Sequence, residues 1–133
     1  MTGWTDSMDI EVAVVGAGRW GRLHAEKWAT IPGVRLAAIV DAELERAVRA
    51  SRRHQGVAAY STVDALPETI RASSVAVDID SLGEVTRDLL RRGVHVLTEK
   101  PLAASRLEAE ALHTQAQRAG LHLAVGFLER FNG

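Results

Sequence analysis

The sequence predicts a single α/β domain with a doubly wound parallel sheet of about six strands. Short β-branched runs alternate with helical patterns along most of its 133 residues, and such alternation is typical of βαβ units, whose strands lie parallel. The first run, Ile10–Val15, is apolar at almost every position, as a strand covered by helices on both faces requires. Right-handed crossovers favour the strand order 3-2-1-4-5-6, which opens a ligand crevice at the carboxyl ends of strands 1 and 4.

In the first half of the chain, turn residues separate the predicted elements. A glycine-rich turn follows the first strand, and Pro32 and Gly33 end the first helix because neither continues a helix well. Pro67 ends a weak helix in the same way. Strands are predicted at 10–15, 35–40 and 57–60, helices at 19–30 and 43–53, and the weak helix at 62–66.

In the second half, capping residues mark the start of both helices. Ser81 with Glu84 and Ser105 with Glu108 each fit a capping box, in which two side chains satisfy free backbone N–H groups. Gly93 is predicted to end the first of these helices in a left-handed conformation. Strands are predicted at 75–79, 94–98 and 122–125, and helices at 81–92 and 105–120.

Composition argues against several classes of protein. The absence of cysteine excludes disulfide frameworks and thiolate zinc sites, and the five histidines lack metal-ligand spacing. With 16 basic against 17 acidic residues, the chain lacks the basic excess of a nucleic-acid binder, and no apolar run is long enough to span a membrane. Residues 1–9 contain no lysine or arginine, so we expect a flexible leader rather than a signal peptide, and the cytoplasm as the location.

The turn after the first strand carries a phosphate-binding pattern. Gly16, Gly18 and Gly21 form G-x-G-x-x-G between a strand and a helix, and Asp41 follows 20 residues after Gly21. Gly16 permits the tight turn, Gly18 lets a pyrophosphate approach the backbone, and Gly21 allows the helix to pack on the strand. The helix N-terminus attracts the anion. The pattern predicts a Rossmann-type dinucleotide site, and a glycine-rich turn with no ligand is the alternative.

Three side chains near this turn bear on how the cofactor would be held. Asp41 favours NAD, because it can accept hydrogen bonds from the adenosine ribose and repels a 2′-phosphate, while Arg46 lies near enough in sequence to leave NADP open. Arg19 and Trp20 are further candidates for cofactor binding. Arg19 either pairs with phosphate or is solvated, and Trp20 either lies against the cofactor or packs on the surface.

A second motif, Glu99-Lys100-Pro101, directly follows the fifth predicted strand. Together with the glycine-rich turn, Asp41 and the stretch Gly-Phe-Leu-Glu-Arg-Phe-Asn at 126–132, it makes the chain resemble the Gfo/Idh/MocA family of oxidoreductases. The resemblance implies that Lys100 is catalytic, easing proton loss from a substrate hydroxyl, and that Glu99 lies near the nicotinamide ribose. A lysine at the carboxyl end of a central strand is on the ligand side of the sheet; a surface ion pair is the alternative. A cis bond before Pro101 would direct Lys100 inward, although most such bonds are trans.

The chain departs from the family pattern after the fourth predicted strand. The family usually has a proline and then a histidine there, and the corresponding positions are Asp78 and Leu82. Negative charge at Asp78 and Asp80 beside a pyrophosphate is unfavourable unless both carboxylates point away. His24 matches a residue common in the family, and an exposed helical histidine is the alternative interpretation.

The resemblance also implies a second, substrate-binding domain. We therefore expect 10–126 to form an NAD(P)-binding domain and 127–133 to begin the domain that follows. The implied function is hydride transfer to or from a sugar, polyol or similar hydroxyl substrate. We expect the chain to be inactive in this reaction without the substrate domain. A non-catalytic NAD(H)-binding sensor or regulatory module is the alternative. The apolar stretch from Leu121 to Phe131 predicts a homo-oligomer or a partner subunit.

Overall fold

Residues 9–126 are described by the structure, a computed structural model, and they contain a parallel sheet with helices on both faces. Its strands are β1 (Ile10–Val15), β2 (Val34–Val40), β3 (Ala58–Tyr60), β4 (Ala72–Val75), β5 (His95–Glu99) and β6 (Leu123–Gly126). The helices are α1 (Arg19–Trp28), α2 (Leu44–Ser51), α3 (Ile79–Arg91) and α4 (Arg106–Ala119), with a short 3-10 turn at Val63–Ala65. The sheet order is β3-β2-β1-β4-β5-β6 with every pair parallel, which confirms the predicted doubly wound Rossmann-type sheet.

Two hydrophobic layers cover the two faces of the sheet. Alternate residues of β1 point to opposite faces, so that Val12 and Val14 join one layer while Ala13 and Val15 join the other. The layer under α1 and α2 also includes Ala25, Leu36, Ile39, Ala47 and Ala50. The layer under α3 and α4 includes Val96, Leu82, Leu89, Leu90, Leu112 and Ala116. The sheet is therefore buried on both sides, as the apolar first strand indicated.

The fourth strand corrects the prediction made for 75–79. The observed β4 covers Ala72–Val75 and contains Ser73 and Ser74, both fully buried. Ser74 Oγ accepts a hydrogen bond from the indole N–H of Trp28 at 2.7 Å. This partner on α1 lets a polar residue sit in the core, and the strand is therefore not apparent from an apolar pattern.

The start of α3 is also different from the prediction, and the capping box of Ser81 with Glu84 is wrong. The N-cap is Asp78, whose side chain accepts a hydrogen bond from the backbone N–H of Ser81 at 3.0 Å. Aspartate is among the best N-cap residues, so the helix begins soon after β4 ends and Ser81 lies within its first turn.

The predicted cap of α4 is confirmed for its serine. Ser105 Oγ accepts a hydrogen bond from the backbone N–H of Glu108 at 3.1 Å. The Glu108 carboxylate lies 3.8 Å from the guanidinium of Arg87, on α3, so this side chain links the two helices. Gly93 follows α3 with φ of +79°, which confirms its predicted left-handed conformation.

Two further observations concern the ends of the domain. At the amino ends of β5 and β6, the rings of His95 and His122 lie 5.1 Å apart, and the backbone N–H of His122 donates to His95 Nδ1 at 2.9 Å. The predicted leader, apart from Asp9, and the predicted start of a second domain lie outside the described residues. None of the helices between residues 9 and 126 combines the length and the apolar character needed to cross a bilayer.

Shortening Leu89 to alanine tests the buried layer under α3 and α4. Leu89 is 0% exposed, whereas Leu107 on α4 is 78% exposed. We expect Leu89→Ala to lower the free energy of unfolding by about 2–5 kcal/mol because it leaves a cavity, and the control Leu107→Ala to change it by less than about 0.5 kcal/mol. Urea denaturation measures both, and equal losses would contradict the packing described.

Candidate functional site

A crevice opens at the carboxyl end of the sheet, where the strand order reverses between β1 and β4. Its volume is about 570 Å3. Its walls come from the ends of β1 and β2, from the segments that follow β1, β2, β3 and β4, and from residues of α2 and α3. Gly16, Gly18 and Asp41, all predicted from the sequence, line it, and Asp78 lines it as well. The structure thus brings the glycine-rich turn and the acidic residue to one cavity.

The position of Gly16 explains why this residue has to be glycine. Its φ is +104°, and a Cβ added there would lie 2.2 Å from the carbonyl oxygen of Ala76, beyond the end of β4. Its backbone N–H donates to the carbonyl of Val40 at 2.7 Å. The turn is therefore held between the ends of β2 and β4, with no room for a side chain.

The other two glycines of the pattern have opposite surroundings. A Cβ on Gly21 would lie 1.7 Å from the carbonyl oxygen of Gly16, so the first turn of α1 packs directly on the turn. Gly18 is the N-cap of α1 and makes no side-chain cap, and a Cβ there would meet nothing within 4 Å. The backbone at Gly18 is consequently open towards space, at a helix end whose first N–H groups lack intrahelical acceptors.

Asp41 is bound to the glycine-rich turn as well as placed beside it. Its side chain is 10% exposed. Oδ2 accepts a hydrogen bond from the backbone N–H of Ala17 at 2.9 Å, and Oδ1 accepts one from the N–H of Glu43 at 2.8 Å. Arg46 Nε lies 3.6 Å from Oδ1. A carboxylate oxygen has two acceptor positions, so both oxygens retain capacity for further donors.

The acidic residues that depart from the family pattern are separated by the structure. Asp78 lines the crevice, and its carboxylate accepts the N–H of Ser81 as the cap of α3. Asp80 is exposed and does not line the crevice. Leu82 is 2% exposed and belongs to the core. The carboxylate of Asp78 is thus partly compensated by the helix N-terminus, which stabilises negative charge.

The second motif lies at the same end of the sheet but outside this crevice. Glu99 is the last residue of β5, and Lys100 and Pro101 follow it. The bond between Lys100 and Pro101 is cis, and Lys100 is exposed. Neither Glu99 nor Lys100 lines the cavity that contains Gly18.

A hydrogen bond between His24 and Glu99 joins the two motifs. His24 Nε2 lies 2.6 Å from Glu99 Oε1, and the two side chains are only 16% and 22% exposed. His24 is on α1, the helix that begins at the glycine-rich turn, whereas Glu99 ends β5. The interpretation of His24 as an exposed helical residue is therefore wrong. The contact with Glu99 could not be predicted from the sequence, because the two residues are 75 positions apart.

Arg19 and Trp20 lie at the surface beside the turn. Trp20 is 51% exposed, and the guanidinium carbon of Arg19 is 5.8 Å from its ring centroid, within the range of a cation–π contact. Neither residue lines the crevice. Between residues 9 and 126, no group of three histidine or acidic side chains is arranged to hold a metal ion.

Comparisons with known proteins place this geometry among oxidoreductases. The model of the Gfo/Idh/MocA family, described as an oxidoreductase family with an NAD-binding Rossmann fold, matches residues 10–127. The UDP-N-acetylglucosamine 3-dehydrogenase of Acidithiobacillus ferrooxidans is 35% identical over 121 residues, which are 91% of this chain and 38% of that protein. This chain thus spans little more than a third of that relative.

Two solved structures show the same fold. GenD2 from gentamicin A biosynthesis, in complex with NAD, is similar with a TM-score of 0.84 and 31% identity, covering 89% of this chain and 34% of that one. KijD10, a 3-ketoreductase from Actinomadura kijaniata in complex with NADP and TDP-benzene, has a TM-score of 0.80 and 30% identity, covering 89% and 37%.

The different surroundings of Gly21 and Gly18 predict different stabilities for their alanine variants. We expect Gly21→Ala to lower the free energy of unfolding by about 1–3 kcal/mol, because its methyl group would overlap the Gly16 carbonyl. Gly18→Ala should lower it by less than about 1 kcal/mol, since the space is open and its φ of −78° suits alanine, and the remaining cost is that alanine is a poorer N-cap than glycine. Guanidinium denaturation compares them, and equal stability of the two variants would contradict the close approach at Gly21.

A double-mutant cycle tests the link between the motifs. Removing either side chain of the His24–Glu99 pair breaks the same hydrogen bond, so the losses for His24→Ala and Glu99→Ala should not add. We expect a coupling energy of about 0.5–3 kcal/mol from chemical denaturation. Additive losses would mean that the contact contributes nothing to stability.

Proposed function

This chain belongs to the Gfo/Idh/MocA oxidoreductase family, and from this premise we propose that it forms the cofactor-binding part of a dehydrogenase acting on a hydroxyl group. The substrate class we propose is a sugar, a polyol or a similar compound. The relative from Acidithiobacillus ferrooxidans, named as a UDP-N-acetylglucosamine 3-dehydrogenase, supports this class. The domain itself is of the NAD-binding Rossmann type.

The observation that carries the proposal is the open backbone at Gly18, at an uncapped helix N-terminus within the crevice. A pyrophosphate fits such a position, because the helix end offers N–H donors and partial positive charge. In this proposal the Gly16–Gly18 turn holds the pyrophosphate and Asp41 accepts hydrogen bonds from the adenosine ribose. Arg19 and Trp20 are proposed to border the cofactor from the surface.

The second motif is proposed to serve the reacting end of the site. A bound nicotinamide accepts or supplies a hydride. Lys100, which follows β5 at the carboxyl edge of the sheet, would donate a hydrogen bond to the substrate hydroxyl and assist the transfer of its proton. Glu99 would border the nicotinamide ribose, and its hydrogen bond to His24 fixes its position relative to α1.

The remaining parts of the proposal concern the whole protein. Because the relative is much longer than this chain, we propose that 10–126 is the NAD(P)-binding domain and that a substrate domain, beginning near 127–133, completes the active site. Association as a homo-oligomer or with a partner subunit, and a cytoplasmic location, stay predictions. No feature of the residues described favours a non-catalytic sensor module.

Titration with NADH tests the proposed cofactor site through the Gly18→Ala variant. NADH at 100 times its Kd should stabilise the chain by about 2.7 kcal/mol, seen as a rise in Tm and a change in tryptophan fluorescence. The added methyl group would take the space proposed for the pyrophosphate, so Gly18→Ala should bind NADH at least about tenfold more weakly.

The Tm of the variant without ligand is the control, because it separates lost binding from lost folding. If Gly18→Ala binds NADH as tightly as the unmodified chain does, the proposed position of the pyrophosphate at Gly18 is wrong. A complete lack of binding by the unmodified chain would overturn the proposed function.

A further inference from the structure

The pair formed by His24 and Glu99 has a net charge that depends on a single proton. His24 Nε2 lies 2.6 Å from Glu99 Oε1. An ionised carboxylate can only accept hydrogen bonds, so Nε2 carries a hydrogen and donates it, and the other ring nitrogen, Nδ1, is the one that gains or loses a proton. The hydrogen bond is therefore kept in both states, while the pair changes from one negative charge to no net charge when Nδ1 is protonated.

The surroundings of the pair let its charge act on a neighbouring group. Both side chains are mostly buried, and charges that are partly removed from water act more strongly on their neighbours. The hydrogen bond uses Oε1 of Glu99. The second oxygen, Oε2, lies beside Gly126 of β6, where an added Cβ would be 3.8 Å from it. The glycine thus leaves room for a ligand on this side of the carboxylate.

The other charged groups around α1 differ from His24 in place or in chemistry. The helix packs mainly on β1, β2 and β4. The charged residues of these strands are Glu11 and Arg35, which form an ion pair with each other near the amino ends of β1 and β2. Lys27 on α1 and Lys100 after β5 are exposed, and lysine side chains ordinarily titrate far above neutral pH. Histidine is the side-chain type whose charge changes near neutrality.

The proposed cofactor would place its nicotinamide half near the His24–Glu99 pair. The adenosine ribose is proposed at Asp41, after β2, and the pyrophosphate at Gly18, after β1. A doubly wound sheet binds the two halves of a dinucleotide on the two sides of the point where its strand order reverses. The nicotinamide half therefore extends towards the carboxyl ends of β4 and β5, and Glu99 is the last residue of β5.

The oxidised and reduced forms of the cofactor differ in charge at this end only. The oxidised nicotinamide ring is a cation and the reduced ring is neutral, whereas the adenosine and pyrophosphate parts are identical. A pair with one negative charge attracts the cationic ring, and a pair without net charge does so much less. A proton on His24 would consequently weaken the binding of one form of the cofactor and have little effect on the other.

We propose that His24 makes the preference of the chain for oxidised or reduced cofactor depend on pH. With Nδ1 unprotonated, the pair favours the oxidised form, and protonation of Nδ1 shifts the preference towards the reduced form. Because such coupling is reciprocal, binding of the oxidised cofactor should release protons from His24. This inference rests on the proposed function, since it requires the nicotinamide half to lie beside Glu99.

Binding measurements with the full 133-residue chain test the inference without any substrate. Calorimetry gives the Kd values of NAD+ and NADH at one ionic strength, at about pH 6 and about pH 8. The ratio of the two values cancels pH effects on the part that both cofactors share. From the lower to the higher pH, we expect the Kd of NAD+ relative to that of NADH to fall at least about fivefold.

Two results of this measurement have different meanings. A ratio that does not change with pH would overturn the inference and leave the proposed function standing. Failure of both cofactors to bind would overturn both.

His24→Gln separates the charge of His24 from its hydrogen bond. The glutamine amide supplies an N–H donor at a similar reach but does not titrate, so the pair keeps its negative charge at either pH. The Kd ratio of this variant should be independent of pH and close to the ratio of the unmodified chain at the higher pH. A pH dependence as large as in the unmodified chain would assign the effect to another group and overturn the inference.

His113→Gln is the matched control, because His113 is an exposed histidine of α4, on the opposite face of the sheet from α1. This variant should keep the pH-dependent ratio, and its loss would overturn the assignment to His24. Proton release gives a readout that needs no variant. Calorimetry in two buffers of different ionisation enthalpy should show more protons released on binding NAD+ than on binding NADH, and equal release would overturn the inference.

Discussion

The close approach of two backbone segments at Gly16 and Gly21 determines the geometry of the whole site. The carbonyl oxygen of Gly16 lies 1.7 Å from the point where a Cβ of Gly21 would be, and Gly16 itself faces the carbonyl of Ala76 beyond β4. A side chain at Gly21 would push α1 away from the turn that follows β1, and a side chain at Gly16 would push that turn away from Ala76. Because Gly18 is the N-cap of α1, such a shift would move the open N-terminus of the helix away from the end of the sheet. The glycines thus fix the position of the proposed pyrophosphate site relative to the sheet.

Asp41 adds a second constraint of a different kind. Its carboxylate holds the N–H of Ala17 at 2.9 Å, so the residue proposed to hold the ribose also fixes the turn proposed to hold the pyrophosphate. Replacing Asp41 would change the turn and the proposed ribose site together. A loss of cofactor affinity in an Asp41 variant therefore does not show which of the two was disturbed. His24 also joins two parts of the proposed site, because its hydrogen bond to Glu99 connects α1 with the carboxyl end of β5.

The topology and the position of the site were predictable from the sequence because both depend on local patterns. The nearly continuous apolar run of β1 and the spacing from Gly16 to Asp41 are read along the chain, and they predict a buried parallel strand and the glycine-rich turn that follows it. The boundary of β4 was not predictable in this way. Ser73 and Ser74 are buried, and the hydroxyl of Ser74 has its hydrogen-bond partner on the distant indole of Trp28. The apolar run that predicted this strand, 75–79, therefore lies mostly after its observed end at Val75.

Contacts between distant side chains account for the rest of what the sequence did not predict. His24 and Glu99 are 75 residues apart in sequence, and no spacing rule joins them. Arg22 of α1 and Arg49 of α2 line one cavity beside the glycine-rich turn, although each alone resembles an ordinary solvated residue. Local patterns specify elements and turns, whereas the charge around the turn follows from how α1 and α2 pack on the sheet.

The contact between His95 and His122 has a practical consequence. It lies at the amino ends of β5 and β6, whereas the crevice lies at the carboxyl ends of the strands. Imidazole protons give resolved signals in NMR spectra, so these two rings provide an internal reference for the integrity of the sheet. His24 lies beside Glu99, at the carboxyl end of β5. A single spectrum would therefore contain one histidine whose signals respond to changes near the candidate site and two histidines at the opposite ends of the strands.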